Sequence, residues 1–540
     1  MKLLTFIHNP QFRPRHYLGG IAVLLLLILV YSNALQAIFR LESPKAWLSL
    51  WDPYLRHVLF FSFAQALLSA VLAVIGGLLL ARALFYQDVI GKKWLLKLFS
   101  LTFVLPSLVV IFGVLGVYGT KGWLAQFLSS MGIAWQPNIY GLTGILLTHL
   151  FFNIPFACRL FLPCFQAIPS QQHQLAAQLN LRGWQFIRLV EWAYLRSQIL
   201  PALSLIFMLC FTSFTIVLTL GGGPQYTTLE VAIYQAIVFD FDLARASFYA
   251  LLQFLFCFML FALTSWLGKP TNNPLQQTSI WRAKQKSAVR FWQIFLIISV
   301  CLFILFPLLN LFITALSSKA LWSIWQSSQL WRAIGYSLAM ALSSACFALL
   351  LATGLLLLSR RLLWLYWRTT ANFLLNFGML ILSIPTLLLA IGLFIWLQHL
   401  RFDEIYLFFI VVLCNGLTAM PFVIRILSAP MNQNMHYYEK LCQSLGISGW
   451  QRLRLIEWNT LAQPIKYAFA LAMALSLGDF TAIALFGNQH FTSLPYLLYQ
   501  QLGSYRGDEA AVTAMILLVF CLAIFALIER NSKTASDNND

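Results

Sequence analysis

The chain has 540 residues, of which 60% are hydrophobic and only 10% charged, against about a quarter charged in soluble domains, so a soluble globular protein is excluded. Its formal charge of +18 is scattered among loops and forms no single patch, which argues for membrane topology and against a nucleic-acid surface. Of nine cysteines, Cys210, Cys257, Cys301, Cys346, Cys414 and Cys521 lie in apolar runs, and Cys158, Cys164 and Cys442 lie in or beside predicted cytoplasmic segments. None has C-x-x-C spacing, so they read as small apolar packers with no metal site.

Apolar runs long enough to span a bilayer, about twenty residues each, begin at 19–39. That first run lacks a small-residue cleavage pattern and is predicted to be a membrane helix, not a cleaved signal. Runs at 57–81, 99–118, 141–158, 199–220 and 247–267 follow. Segment 268–290 is polar, basic and turn-rich, as expected of a cytoplasmic linker. A second set lies at 291–316, 333–358, 372–396, 405–424, 465–486 and 512–528, and a polar tail fills 529–540. The expectation is an all-α integral membrane protein of about twelve transmembrane helices in two homologous six-helix halves. Its divisions are 1–56 with the first helix, a first repeated domain at 57–267, the linker, a seventh helix and external loop at 291–332, and a second repeated domain at 333–528. With the N-terminus inside, 26 of the 35 Lys and Arg residues fall in cytoplasmic segments, which predicts that both termini are cytoplasmic.

Two polar stretches 266 residues apart repeat without a gap, Gln174 to Trp192 against Lys440 to Trp458. Pro155-Phe156 with Arg159 matches Pro421-Phe422 with Arg425, and Phe214-Thr215 with Gly221 matches Phe480-Thr481 with Gly487, all at the same offset. Each copy is predicted to be a short helix, a turn and a second helix. Ser170 after Pro169 is placed to cap, and Asn180 and Gly446 tolerate the left-handed conformation that the turn needs. Leu175 and Leu179, like Leu441 and Leu445, are four apart, so each short helix has an apolar face in a polar loop, the form of a helix seated in a partner's groove. A helix lying on the membrane surface is the alternative; duplication at matching places weighs against it.

The repeated element resembles the cytoplasmic signature of type I ATP-binding-cassette importer permeases, a Glu-Ala-Ala run followed by Gly and later by hydrophobic-x-hydrophobic-Pro. With the motif Gly aligned to Asn180 and Gly446, Gln174 and Lys440 stand where Glu is usual. Leu175 and Leu441 stand at the first Ala, and Ala176 and Cys442 at the second. The first half lacks the Gly, and Ala193 and Asn459 replace the Pro. The likeness covers roughly 57–267 and 333–528. It implies two coupling helices docking on a separate ATPase subunit, a homodimer that binds ATP and Mg²⁺. The first comprises Gln174, Leu175, Ala176, Ala177, Leu179 and Asn180; the second comprises Lys440, Leu441, Cys442, Leu445 and Gly446. This chain itself is expected to hold no cofactor and no catalytic residue.

Further strings, Ile206 to Phe211, Leu220-Gly221-Gly222-Gly223-Pro224-Gln225, Ala484 to Asn488 and Leu502 to Arg506, are similar to the fused two-domain thiamine importer permeases of Gram-negative bacteria. The resemblance implies an inner-membrane subunit that passes thiamine or its phosphate esters from a periplasmic binding protein. Composition and spacing name no ligand. A fused permease for ferric ion or another small solute, and a twelve-helix secondary transporter needing midplane carboxylates, are the alternatives.

The Gly221–Gln225 run lacks the Lys-Ser/Thr of a phosphate loop, and no such motif occurs elsewhere in the chain, so ATP hydrolysis is assigned to another polypeptide. As an external loop the run either contacts a binding protein or is a helix-exit turn. Asp479, in an apolar segment, either faces the pore and attracts a cation or bonds a neighbouring helix; its first-half equivalent is the neutral Ser213. His149 and Asn153, four apart, and Asn415 at the position matching His149, are candidate pathway residues or interhelical hydrogen-bonders. Pro106 and Pro385, each seven residues before a glycine (Gly113, Gly392), are candidate hinges.

Overall fold

A computed structural model describes residues 18–39, 51–133, 137–267, 286–397, 404–447, 449–488 and 491–536, and among these all regular secondary structure is helical. Most of the predicted linker, Ser448 and the last four residues lie outside the described residues. The first half comprises α1 (Leu18–Phe39), α2 (Pro53–Tyr86), α3 (Lys92–Thr102), α4 (Ser107–Tyr118), α5 (Trp123–Ser130), α6 (Leu142–Gln166), α7 (Ser170–Gln178), α8 (Trp192–Phe211), α9 (Phe214–Leu220), α10 (Leu229–Val238) and α11 (Leu243–Leu267). The second comprises α12 (Ser287–Ser317), α13 (Ser328–Trp364), α14 (Arg368–Met379), α15 (Thr386–Leu397), α16 (Glu404–Ser444), α17 (Trp458–Gly478), α18 (Thr481–Phe486), α19 (Leu494–Gly503) and α20 (Gly507–Ser536).

Ten helices among the described residues are long and apolar enough to cross a membrane, fewer than the twelve expected. Part of the difference is chemical. Proline has no N–H and pushes the preceding residue out of the α region, so the third run divides into α3 and α4 at Pro106 and the ninth into α14 and α15 at Pro385. The fifth and eleventh runs, expected to be continuous, also break, at Thr212–Ser213 and Asp479–Phe480. No proline acts there; short polar side chains compete for the backbone. Ser213 Oγ donates to the Cys210 carbonyl at 2.8 Å, and Asp479 Oδ1 accepts from Thr481 N–H at 3.2 Å. The polar tail is helical as far as Ser536.

Within each half, small residues let the longest helices approach closely. A Cβ on Gly77 of α2 would collide with Ala157 on α6, and one on Gly416 of α16 would come within 2.7 Å of Phe347 on α13. Matching buried serines fasten a short inner helix to each: Ser62 Oγ accepts the Leu229 N–H at 2.9 Å, and Ser337 Oγ the Leu494 N–H at 2.7 Å, satisfying helix-start donors that lipid could not.

The first helix of each half crosses to the other. α1 packs on α13 and α15, while α12 packs on α4 and α2. Glycine again sets the distance. A Cβ on Gly113 would lie 2.5 Å from the Pro307 carbonyl oxygen, and Asn310 Nδ2 donates to the Gly116 carbonyl at 3.2 Å. Gly113→Leu is therefore expected to destabilise the α4–α12 contact by about 1–3 kcal/mol through overpacking. Thermal unfolding of the purified protein in detergent should show a clear drop in midpoint, whereas Gly335→Ala, with nothing within 4 Å of its Cβ, should not lower it.

Candidate functional site

Both copies of the repeated element fold alike where their sequences share a register. In the first, His173 and Ala176 are buried, while Gln174, Leu175, Ala177, Leu179 and Asn180 are exposed. In the second, Glu439 and Cys442 are buried, while Lys440, Leu441, Leu445 and Gly446 are exposed. The pair of buried residues spaced by three seats one edge of each helix on the membrane domain. The opposite edge presents leucines to solvent, Leu175 at 56%, Leu179 at 62%, Leu441 at 49% and Leu445 at 63% exposure. Four exposed leucines in duplicate form are costly surface unless a partner covers them. Ala176 and Cys442 thus hold each helix in place, and the leucines are free for contact.

The turns also match. Asn180 and Gly446 adopt positive φ, 52° and 66°, and Leu181 and Ile447 donate their N–H groups back to the carbonyls of Ala176 and Cys442, each at 2.9 Å. This is a helix stop closed by a left-handed residue. After it, both copies widen into one π-helical turn, Ile187–Glu191 and Leu453–Glu457. One expectation fails: the second copy has no separate short helix, because its helical segment is the end of the 41-residue α16. Pro169 breaks the first copy, and Met435 stands at the matching position in the second.

Each π turn ends in a buried glutamate that ties the element to a membrane helix. Arg82 Nε of α2 donates to both oxygens of Glu191, at 2.9 and 3.1 Å, and Tyr86 OH donates to Oε1 at 2.9 Å. In the second half, Arg360 of α13 meets Glu457 at 2.8 Å; Arg452 bridges Glu457 at 2.9 Å and Glu439 at 2.6 Å, and Arg361 meets Glu439 at 3.2 Å. Burial works against the charge of Arg452, but Glu439 and Glu457 outweigh it and hold the guanidinium above its ordinary pKa. His173 occupies the position of Glu439 and stacks between Phe85 and Phe186, with centroids 5.9 and 5.7 Å away. These anchors carried a sequence signal, an acid repeated at the 266-residue offset in a basic region, but nothing local identified their arginines.

The halves meet along a seam holding two cavities. One, of about 450 Å³, is lined from the first half by Met208, Thr212 and Glu230 and from the second by Pro385, Phe422 and Thr481. The other, of about 260 Å³, is lined by Pro106, His149, Asn153 and Ser213 on one side and by Gly478 and Asp479 on the other. All four helix breaks open onto these cavities, where irregular backbone is tolerated within a membrane. His149 is held between Ser69 Oγ and Ser213 Oγ at 2.9 and 2.8 Å, and Asn153 Nδ2 lies 3.4 Å from Cys210 Sγ. Asn415 donates to Ser476 Oγ at 3.1 Å and does not line the smaller cavity with the others. Asp479 bonds locally to Thr481 at the start of α18 and, among the described residues, to no helix further away. Glu230 belongs to a stretch expected to be an external loop; instead α10 is a buried apolar helix that carries this acid 2% exposed. The Gly221–Gln225 run is a helix-exit turn, with Gly222 and Gly223 at φ 71° and 146° and the Gln225 carbonyl 2.9 Å from His57 Nε2.

Residues 365–532, within the second half, match the family described as binding-protein-dependent transport system inner membrane component. Across nearly its whole length the chain is 60% identical to the thiamine transport system permease protein of Haemophilus influenzae, over 97% of this chain and 98% of that one. The chain belongs to the thiamine transport system permease family. The permease of Escherichia coli is 43% identical, over 96% of this chain and 98% of its own, and that of Brucella abortus 38% identical, over 97% and 96%. Membership makes this permease a multi-pass inner-membrane protein and a transport subunit, not an enzyme.

The glutamate anchors predict the same response in both halves. Glu191→Ala leaves Arg82 partly buried and unpaired, a loss of about 3–5 kcal/mol. Glu457→Ala leaves Arg360 in the same condition, although Arg452 keeps its bond to Glu439. Hydrogen exchange in the turn after α7 should therefore accelerate in the first variant, and exchange in the matching turn should accelerate in the second.

Proposed function

We propose that this permease is the membrane-spanning subunit of an ATP-driven importer that moves thiamine, or its phosphate esters, inward. The observation that carries the proposal is the 60% identity, end to end, with the thiamine transport system permease protein of Haemophilus influenzae. Permeases of this family work with an ATPase and a binding protein. Two elements of one design, each offering a leucine pair, suit two identical ATPase subunits, which supply the ATP and Mg²⁺ chemistry. In this reading the exposed edges of α7 and of the end of α16 are coupling helices, both termini are cytoplasmic, and the cleft beside Thr219, Arg332 and Gln500 faces the binding protein.

Closure of the ATPase pair pushes both elements. The Glu191–Arg82 and Glu457–Arg360 pairs pass that displacement into α2 and α13, and the seam between the halves opens or closes. Such a cycle requires an interface with two states that nucleotide and loaded receptor favour differently.

Leu441→Asp with Leu445→Asp places charge in an apolar groove contact, where an unpaired buried charge costs several kcal/mol. The variant should insert normally while co-purification of the ATPase falls at least about tenfold; undiminished association and transport would refute the docking role. Deleting the gene in a bacterium unable to make thiamine should abolish growth on low external thiamine and spare growth on low iron. Normal high-affinity thiamine uptake in that strain, with no second importer present, would refute the assignment.

A further inference from the structure

Glu230 and Asp479 come from opposite halves, and each keeps a buried carboxylate oxygen without a hydrogen-bond partner, Oε2 and Oδ2 respectively. Among the described residues neither has an ion-pair partner. Each lines one of the two seam cavities. Asp479 is two residues before Thr481, which lines the same cavity as Glu230. Gln253 lies beside Glu230. Next to the acids, Phe214 and Phe480, the residues that follow the two matching helix breaks, stack across the seam with centroids 6.1 Å apart and planes 11° from parallel. Among the described residues, the one cationic side chain lining the larger cavity is Arg425.

Unsatisfied carboxyl oxygens in an apolar cavity are costly for folding, a cost that a bound cation would offset. We propose that Glu230 and Asp479 form a bipartite site for an organic aromatic cation at the seam, one acid contributed by each half. This deepens the thiamine-import reading and rests on it. The site suits a ring cation with an amine-bearing second ring. The carboxylates answer the delocalised charge and accept from the exocyclic amine, and Phe422 and Phe152, which line the larger and the smaller cavity, offer aromatic surface to the cation. Because the acids sit on different halves, rocking about the seam changes their separation. The site is complete in one arrangement and divided in the other, so affinity falls as the cycle proceeds and the cation is released.

The test uses the complete transporter, permease with its ATPase and binding protein, in proteoliposomes given radiolabelled thiamine. Glu230→Gln and Asp479→Asn keep side-chain shape and remove charge. Each should lower the maximal uptake rate at saturating loaded binding protein about tenfold or more, and Glu230→Asp should restore part of it. The exposed Asp88→Asn serves as the control for loss of a carboxylate elsewhere. Equilibrium binding of thiamine to the permease–ATPase complex without binding protein should weaken in the same order. Variants that assemble with the ATPase in normal amount and import at the wild-type rate would overturn the site and leave the transport reading intact. A wild-type complex that imports no thiamine would overturn the transport reading itself. If Glu230→Gln fails to assemble, binding measured on Asp479→Asn alone decides, and unchanged affinity refutes the proposal.

Discussion

Backbone groups released by a broken helix cannot be satisfied by lipid, and this requirement organises the molecule. The breaks at Pro106, Thr212–Ser213, Pro385 and Asp479–Phe480 are affordable only inside protein, so all four turn to the seam. There they shorten the inner helices and leave cavities between the halves. The uninterrupted α2, α6, α13 and α16 take the opposite part, packed through glycine and alanine into stiff frames. Stiff frames around an irregular seam are what the proposed two-state cycle requires.

Duplication has preserved geometry more strictly than chemistry. The turns at Asn180 and Gly446 and the π turns after them superpose in kind, yet the buried edge beneath one element is an aromatic stack on His173 and beneath the other an ion network on Glu439. At the seam, His149 between two serines corresponds to Asn415 on Ser476. What both halves keep is a rigid element joined to a long helix by a glutamate and an arginine. Each solution need only be self-consistent, because each arginine is answered locally.

Hydrophobic run length made the membrane fold and its two halves legible, and the offset of 266 residues located the paired elements with their turn residues. Leucines four apart gave the exposed edges correctly because helix periodicity is local information. What escaped depends on partners far apart in sequence. Glu191 finds Arg82 across 109 positions, and nothing near either predicts it. The breaks at Ser213 and Asp479 escaped because a single polar residue in an apolar run looks like a tolerated substitution, not a terminus. Glu230 escaped because α10 is too short to read as a membrane segment, although its Val231-Ala232-Ile233 core is fully apolar.

The reciprocal crossing of α1 and α12 ties the two halves together in time as well as in space. As the ribosome delivers the chain, α1 enters the bilayer about 300 residues before α13, at least about 15 s earlier at ordinary elongation rates. Until α13 arrives Gly20 faces lipid in place of Leu358, and until α12 arrives the groove on α4 that will receive Pro307 stands open. Neither half can complete its own packing before the other exists. A chain interrupted in translation would leave an orphaned helix and an unfilled groove, a form that membrane quality control can distinguish from the finished transporter without inspecting its function.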